Sequence, residues 1–234
     1  MLLALDTSAE RGSLALFDGE RLIAETWLDA GERHAASLLV CLDRLLAQSK
    51  RTLAEVDRIA LSIGPGSFTG LRIGLASALG LAFGTERRLV PVPTLAALAT
   101  QAGVEDRAIA PVLDARRGEV YAGLYRADGT ALREDSCSSI ADFLASLPAH
   151  GPIAFLGGGV GPHRAAFAAS LGARAEFLPD AAGCLRAASV GRLGARLDAA
   201  GLSVDPERVE LRYLRRAEAE AKRLALHPRI GPIP

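Results

Sequence analysis

Gly64-Pro65-Gly66-Ser67-Phe68-Thr69-Gly70-Leu71-Arg72-Ile73-Gly74 lies between two apolar runs of different character. Ahead of it, Arg58 to Ile63 is apolar and β-branched, the pattern of a buried strand. Behind it, Leu71 to Phe83 is almost wholly apolar and reads as a helix. Gly64 to Gly66 is therefore a strand-to-helix turn, with Ser67 or Thr69 placed to cap a helix over 67–84. Gly66, Gly70, Gly74, Ala78 and Ala82 recur every four residues and make one bare ridge. Interior glycine costs a helix about 1 kcal/mol relative to alanine, so Gly70, Gly74 and Gly80 together cost about 3 kcal/mol. Close approach of another backbone is the expected compensation. The other faces carry Leu71, Ile73, Leu75, Leu79, Leu81 and Phe83. A helix apolar all round is buried on every side, and a partner subunit is a candidate for one of those sides.

Outward from this turn the chain alternates strands and helices. Leu2–Leu5, Ser13–Phe17 and Arg21–Trp27 read as a three-stranded meander, with Asp18-Gly19 as a hairpin turn. A helix follows over 33–48, with Ala35, Leu38, Leu42, Leu45 and Leu46 at helical spacing and Leu39, Val40 and Cys41 on a second apolar side. After the glycine-ridged helix come a strand over Arg88–Val92 and a short helix over Thr94–Gln101. A second unit begins near Arg107. It has strands at Ala108–Leu113 and Glu119–Tyr125, a helix at Ile140–Ser146, a strand at Ile153–Leu156, a helix at His163–Leu171, a long helix at Ala182–Ala200 and a last strand at Glu210–Leu214. Leu5-Asp6 before Gly12–Gly19 and Leu113-Asp114 before Gly118–Tyr125 repeat strand, acidic turn, strand. Duplicated lobes over 1–104 and 105–216 are expected, with a flexible tail over 217–234.

Composition narrows the class. A chain of 234 residues that is 50% apolar can bury a substantial core in one large domain or two small ones. Lys plus Arg and Asp plus Glu each number 27, so net charge argues neither for nor against nucleic acid. Cys41, Cys137 and Cys184 are odd in number and lack paired spacing, which excludes a disulfide framework. Met1 to Asp6 lacks a basic leader and no apolar run reaches the ~20 residues a bilayer needs. The expectation is a soluble cytoplasmic protein.

Several motifs admit two readings each. The turns Gly64–Gly70 and Gly157–Gly161 could cradle a phosphate on backbone N–H groups or serve tight packing; neither has a P-loop ending or Rossmann spacing. Asp6 and Asp114 end strands where a metal–phosphate could bind between lobes, or simply cap the next turn. Asp6-Thr7-Ser8-Ala9 lacks a glycine for close phosphate approach. His34, His150, His163 and His227 form no helical ligand pair, so no metal site is expected, and no G-x-S-x-G nucleophile motif occurs. Arg116-Arg117, Arg212, Arg215-Arg216 and Lys222-Arg223 are either RNA phosphate contacts or a solvated face. Aromatic residues are 5%, too few for base-stacking platforms to be expected.

Four motifs in order resemble the TsaB (YeaZ) family. They are Leu5-Asp6-Thr7-Ser8, the eleven residues Gly64–Gly74, Asp114-Ala115-Arg116 with Gly118-Glu119-Val120-Tyr121, and Tyr213-Leu214-Arg215. Residues 137–206 carry little of the likeness. The resemblance implies an α/β fold of the actin-like (ASKHA, ribonuclease H-like) class. It also implies a dimerisation subunit that partners a TsaD-like transferase and a TsaE-like ATPase in threonylcarbamoylation of N6 of tRNA adenosine 37. The transferase sibling carries a His-x-x-x-His metal pair where this chain has Thr94 and Leu98, so a non-catalytic role is implied, with ATP or ADP and metal on partner subunits. The helices 33–48 and 67–84 are the expected partner surface, serving a homodimer when the chain is alone. Its residues would be Leu38, Leu39, Leu42, Leu45, Phe68, Gly70, Arg72, Ile73, Gly74, Ser77 and Ala78. Nucleotide or tRNA contacts are set at Asp6, Thr7, Ser8, Arg116, Gly158, Gly159, Arg212 and Arg215. The rival classes are an ATP-dependent small-molecule kinase of the same superfamily and a metallopeptidase.

Overall fold

The computed structural model describes residues 1–28 and 34–215. The expected tail over 217–234 lies outside the described residues. Two five-stranded sheets organise the chain. In the first, β1 (Leu2–Asp6), β2 (Ser13–Asp18) and β3 (Arg21–Trp27) form an antiparallel meander, and β1 pairs in parallel with β4 (Arg58–Ser62), which pairs in parallel with β5 (Arg88–Val92). In the second, β6 (Ala108–Asp114), β7 (Glu119–Tyr125) and β8 (Ala131–Ser139) form the meander, and β9 (Ile153–Leu156) and β10 (Ala175–Phe177) add in parallel beside β6. The orders β3-β2-β1-β4-β5 and β8-β7-β6-β9-β10 are the same topology twice.

The helices are α1 (His34–Ser49), α2 (Phe68–Ala82), α3 (Thr94–Thr100), α4 (Ile140–Ala145), α5 (Val160–Leu171) and α6 (Ala187–Ala199). Strand alternation distributes the core. Leu3 and Leu5 of β1 face the cluster under α1 and α2 with Leu38, Leu42 and Leu45. Leu2 and Ala4 face a central cluster with Phe17, Val92, Leu98, Val190 and Leu193. Val112, Leu124, Phe143, Phe155 and Phe167 fill the far layer under α4 and α5. The result is helix, sheet, helix, sheet, helix. Among the described residues no helix is long and apolar enough to cross a membrane.

Four sequence expectations need correction. Glu210–Leu214 is not a strand; residues 209–215 run as an irregular strap. β8 and β10 were not legible as strands, because both are sheet edges with little of their length buried. The last long helix begins at Ala187 rather than Ala182, because Asp180–Gly183 forms a 3-10 turn. Lastly, α6 packs on β1, β2, β4 and β5, while α3 packs on β6 and β7, so the two halves exchange helices and a cut at 104/105 separates α6 from its sheet.

Specific polar groups fix that exchange. Glu25 Oε1 accepts from the Ala188 amide at 2.9 Å and Ser13 Oγ from the Ala187 amide at 2.8 Å, so two first-lobe strands cap α6. Gln101 donates to the carbonyls of Ala182 and Cys184 and accepts from Ser189 Oγ, holding the approach to α6 against the end of α3.

Candidate functional site

The turn from β4 into α2 is built against its own lobe. Ser67 Oγ accepts from the Gly70 amide at 3.2 Å, so Ser67 is the cap. The Ser67 amide donates to Ser8 O at 2.7 Å, and Thr7 Oγ1 donates to Gly70 O at 2.8 Å. A Cβ on Gly70 would lie 2.0 Å from Thr7 O, and one on Gly74 2.3 Å from Thr7 Oγ1. The backbone approached by the bare ridge is therefore Thr7–Ser8, at the end of β1. This corrects the expectation that Gly70, Gly74 and Ala78 line a partner surface, since all three are buried inside the lobe. Leu38, Leu42 and Leu45 are likewise core residues of the same layer.

What α1 and α2 leave outside is a different set. Leu39 is 51% exposed, Val40 48%, Phe68 40% and Phe83 89%. Arg72 is exposed, and Ile73 and Ser77 are half-buried between them. Of the expected partner residues, Leu39, Phe68, Arg72, Ile73 and Ser77 thus reach the surface. Val40 and Phe83 belong to the same face; they extend the second apolar side of each helix. Tyr213, 43% exposed, also joins it by stacking on Phe68 with ring centroids 5.2 Å apart. Nothing in the local sequence places residue 213 there, because the contact is made by the strap. Several large apolar side chains left exposed on two adjoining helices are a usual mark of a docking surface.

The residues assigned to nucleotide or RNA lie in separate places. Asp6 is buried, and its Oδ1 accepts from Ser62 Oγ at 2.6 Å, Ser8 Oγ at 2.7 Å and the Ser8 amide at 3.1 Å. Asp6, Thr7 and Ser8 thus close their own turn and brace α2. Asp114 Oδ1 accepts from the Arg116 amide at 2.6 Å, and Arg116 and Arg117 follow in left-handed conformation at the exposed hairpin tip. Gly157 and Gly159 pack on β6, where a Cβ would lie 2.2 Å from Val112 O and 2.9 Å from Leu113 C. Gly158 between them is exposed, with open space around it.

Arg212 ties the lobes together, and Arg215 fastens the strap to the second. The Arg212 amide donates to Ile63 O at 2.7 Å, and its Nη1 donates to Asp135 Oδ2 at 2.8 Å, while Tyr125 Oη donates to Asp135 Oδ1. Arg215 Nη1 donates to Ala115 O at 2.7 Å, and the same guanidinium pairs with Glu119. Both guanidinium groups are therefore engaged within the chain.

Burial raises the Asp135 carboxyl above its ordinary value, opposed by Tyr125 and Arg212. Removing Arg212 takes away one opposing group and raises it further. Arg212→Met is expected to destabilise the fold by about 2 kcal/mol, the full penalty of a broken buried pair being reduced by the partial exposure of Arg212. A carboxyl whose folded pKa is raised is stabilising when protonated and loses that advantage as pH rises. The deficit of Arg212→Met is thus smallest in acid and grows as pH climbs through the raised native value of the wild type toward the still higher one of the variant. Urea titrations across pH check this; a deficit independent of pH would contradict it.

Thr94 and Leu98, which the resemblance sets against the sibling's metal pair, are interior. Thr94 Oγ1 accepts from the Gly64 amide at 3.0 Å, and Leu98 is fully buried in the central cluster. Among the described residues no three His, Cys, Asp or Glu side chains are grouped to hold a metal ion.

Comparison with known proteins places this architecture. The chain is 32% identical over 228 residues to the tRNA threonylcarbamoyladenosine biosynthesis protein TsaB of Bacillus subtilis (strain 168), covering 94% of this chain and 96% of that one. The chain belongs to the TsaB family. Residues 28–222 also match the family model described as TsaD, tRNA N6-adenosine threonylcarbamoyltransferase, so TsaB and the transferase share a frame. YeaZ from Pseudomonas aeruginosa superposes with TM-score 0.76 at 31% identity, over 91% of this chain and 99% of that one. The ethanolamine utilization protein EutJ from Carboxydothermus hydrogenoformans, at 13% identity and TM-score 0.52 over 82% and 89% of the two chains, shares the fold alone. The two-lobed actin-like fold is thereby established, and nothing in the comparisons favours the kinase reading.

Proposed function

We propose that this TsaB-family chain is the non-catalytic partner subunit of a TsaD-type transferase in threonylcarbamoylation of tRNA adenosine 37. The observation that carries the reading is the apolar face of α1 and α2, with Leu39, Val40, Ile73 and Phe83 offered to a partner on a chain otherwise well packed. The sibling transferase offers the matching frame, and two helices from each subunit would make a four-helix interface. Alone, the chain covers the same face by homodimerising. A TsaE-type ATPase and tRNA join the assembly in the cytoplasm, and ATP or ADP and metal reside on the partner subunits. Thr94 and Leu98, set into the core where the sibling has metal ligands, support the non-catalytic assignment.

Sedimentation velocity of the chain mixed with the TsaD-type subunit of the same organism tests this. The expected outcome is a one-to-one complex formed at the expense of homodimer. Two independently sedimenting species at micromolar concentration would overturn it.

A further inference from the structure

The fifteen residues of α2, Phe68–Ala82, contain a single charged side chain, Arg72. It stands on the exposed face and is held from two sides. Its guanidinium carbon lies 3.8 Å over the Phe68 ring, and its Nε donates to Tyr213 Oη at 3.2 Å. Tyr213 in turn stacks on Phe68 and is carried by the strap that Arg212 fastens to Ile63. Stacking and the Nε bond fix the plane of the guanidinium, while Nη1 and Nη2 donate no hydrogen bond among the described residues. Arg72 is thus the one charged side chain that α2 brings to the exposed face.

A docked apolar partner would take this guanidinium out of water. An uncompensated buried charge costs several kcal/mol, whereas a carboxylate can meet the two parallel Nη donors. Resting on the docking role proposed above, we infer that Phe68, Arg72 and Tyr213 form a preorganised receptor for an Asp or Glu carboxylate presented by the docking helices of the partner protein. Arg72 makes the contact; Phe68 and Tyr213 are positioning residues. Because the fork is held before binding, little side-chain freedom is lost on association. Tyr and Arg are also among the residue types that dominate interface energies.

The test measures affinity of the full chain for the TsaD-type subunit by calorimetry, with circular dichroism confirming each fold. Arg72→Met is expected to weaken association by about 30-fold or more. Arg72→Lys recovers little, because it restores charge without the planar fork. Tyr213→Phe weakens association by about three- to tenfold and adds nothing in the Arg72→Met background, as a positioning role requires. Arg72→Glu is rescued by one Asp or Glu to Lys reversal on the partner's docking helices. Association of Arg72→Met within about twofold of wild type would overturn the receptor. So would an effect confined to the homodimer or to tRNA retention. Retained association of Leu39→Asp would sink the docking face itself, so the two failures are distinguishable.

Discussion

Leu39→Asp and Ile73→Asp are each expected to weaken association with a TsaD-type subunit by about 100-fold or more while leaving the fold intact. Leu39 is half exposed, and Ile73 is partly buried but outside the core clusters, so a carboxylate at either site can reach water in the free chain. Substitutions at such sites usually change stability by about 0.5 kcal/mol or less. In the complex the same carboxylate would be buried among apolar side chains without a partner. That penalty exceeds the ~2.7 kcal/mol that a 100-fold loss represents. Leu132→Asp is the matched control, since Leu132 is a comparably exposed leucine on β8 of the second lobe. It is expected to bind as wild type. Wild-type affinity in both Leu39→Asp and Ile73→Asp, measured by calorimetry on folded protein, would remove the face from the interface.

Gly70→Ala and Gly80→Ala are expected to move stability in opposite directions although both add one methyl group to α2. At Gly70 the methyl would sit 2.0 Å from a backbone carbonyl, that of Thr7, which cannot rotate away. Helix and strand end must separate, at a cost of about 3 kcal/mol and about 10 °C in Tm. At Gly80 nothing lies within 4 Å, so only the helix preference of alanine acts, a gain of about 1 kcal/mol. Thermal unfolding of the two variants decides it; equal shifts of one sign would show that the ridge does not rest on Thr7.

The duplicated halves were legible because each opens on a buried strand, an acidic turn and a second strand, a local pattern. The helix exchange was not, because α6 is placed by Glu25, Ser13 and Gln101, side chains more than eighty residues away in sequence. The edges β8 and β10 were missed because edge strands need not alternate apolar and polar residues. The glycine ridge signals a close backbone approach, but the backbone it meets is Thr7–Ser8 of this chain rather than another subunit. Sequence shows that a ridge exists, whereas only the fold shows that Thr7 faces it. Arg212 and Arg215 read as solvent-facing cations for a similar reason. Their partners Asp135 and Glu119 lie on strands about eighty to a hundred residues away in sequence.

The most direct measurement is threonylcarbamoyl transfer to tRNA by purified subunits from one organism, with this chain alone, absent, or added in steps to the TsaD-type subunit with the TsaE-type ATPase, ATP and the threonylcarbamoyl donor. No turnover is expected from the chain alone, little without it, and a rise that saturates at one chain per transferase subunit. Turnover by the chain alone, lost on substituting its own residues, would contradict it, as would transfer unaffected by its addition.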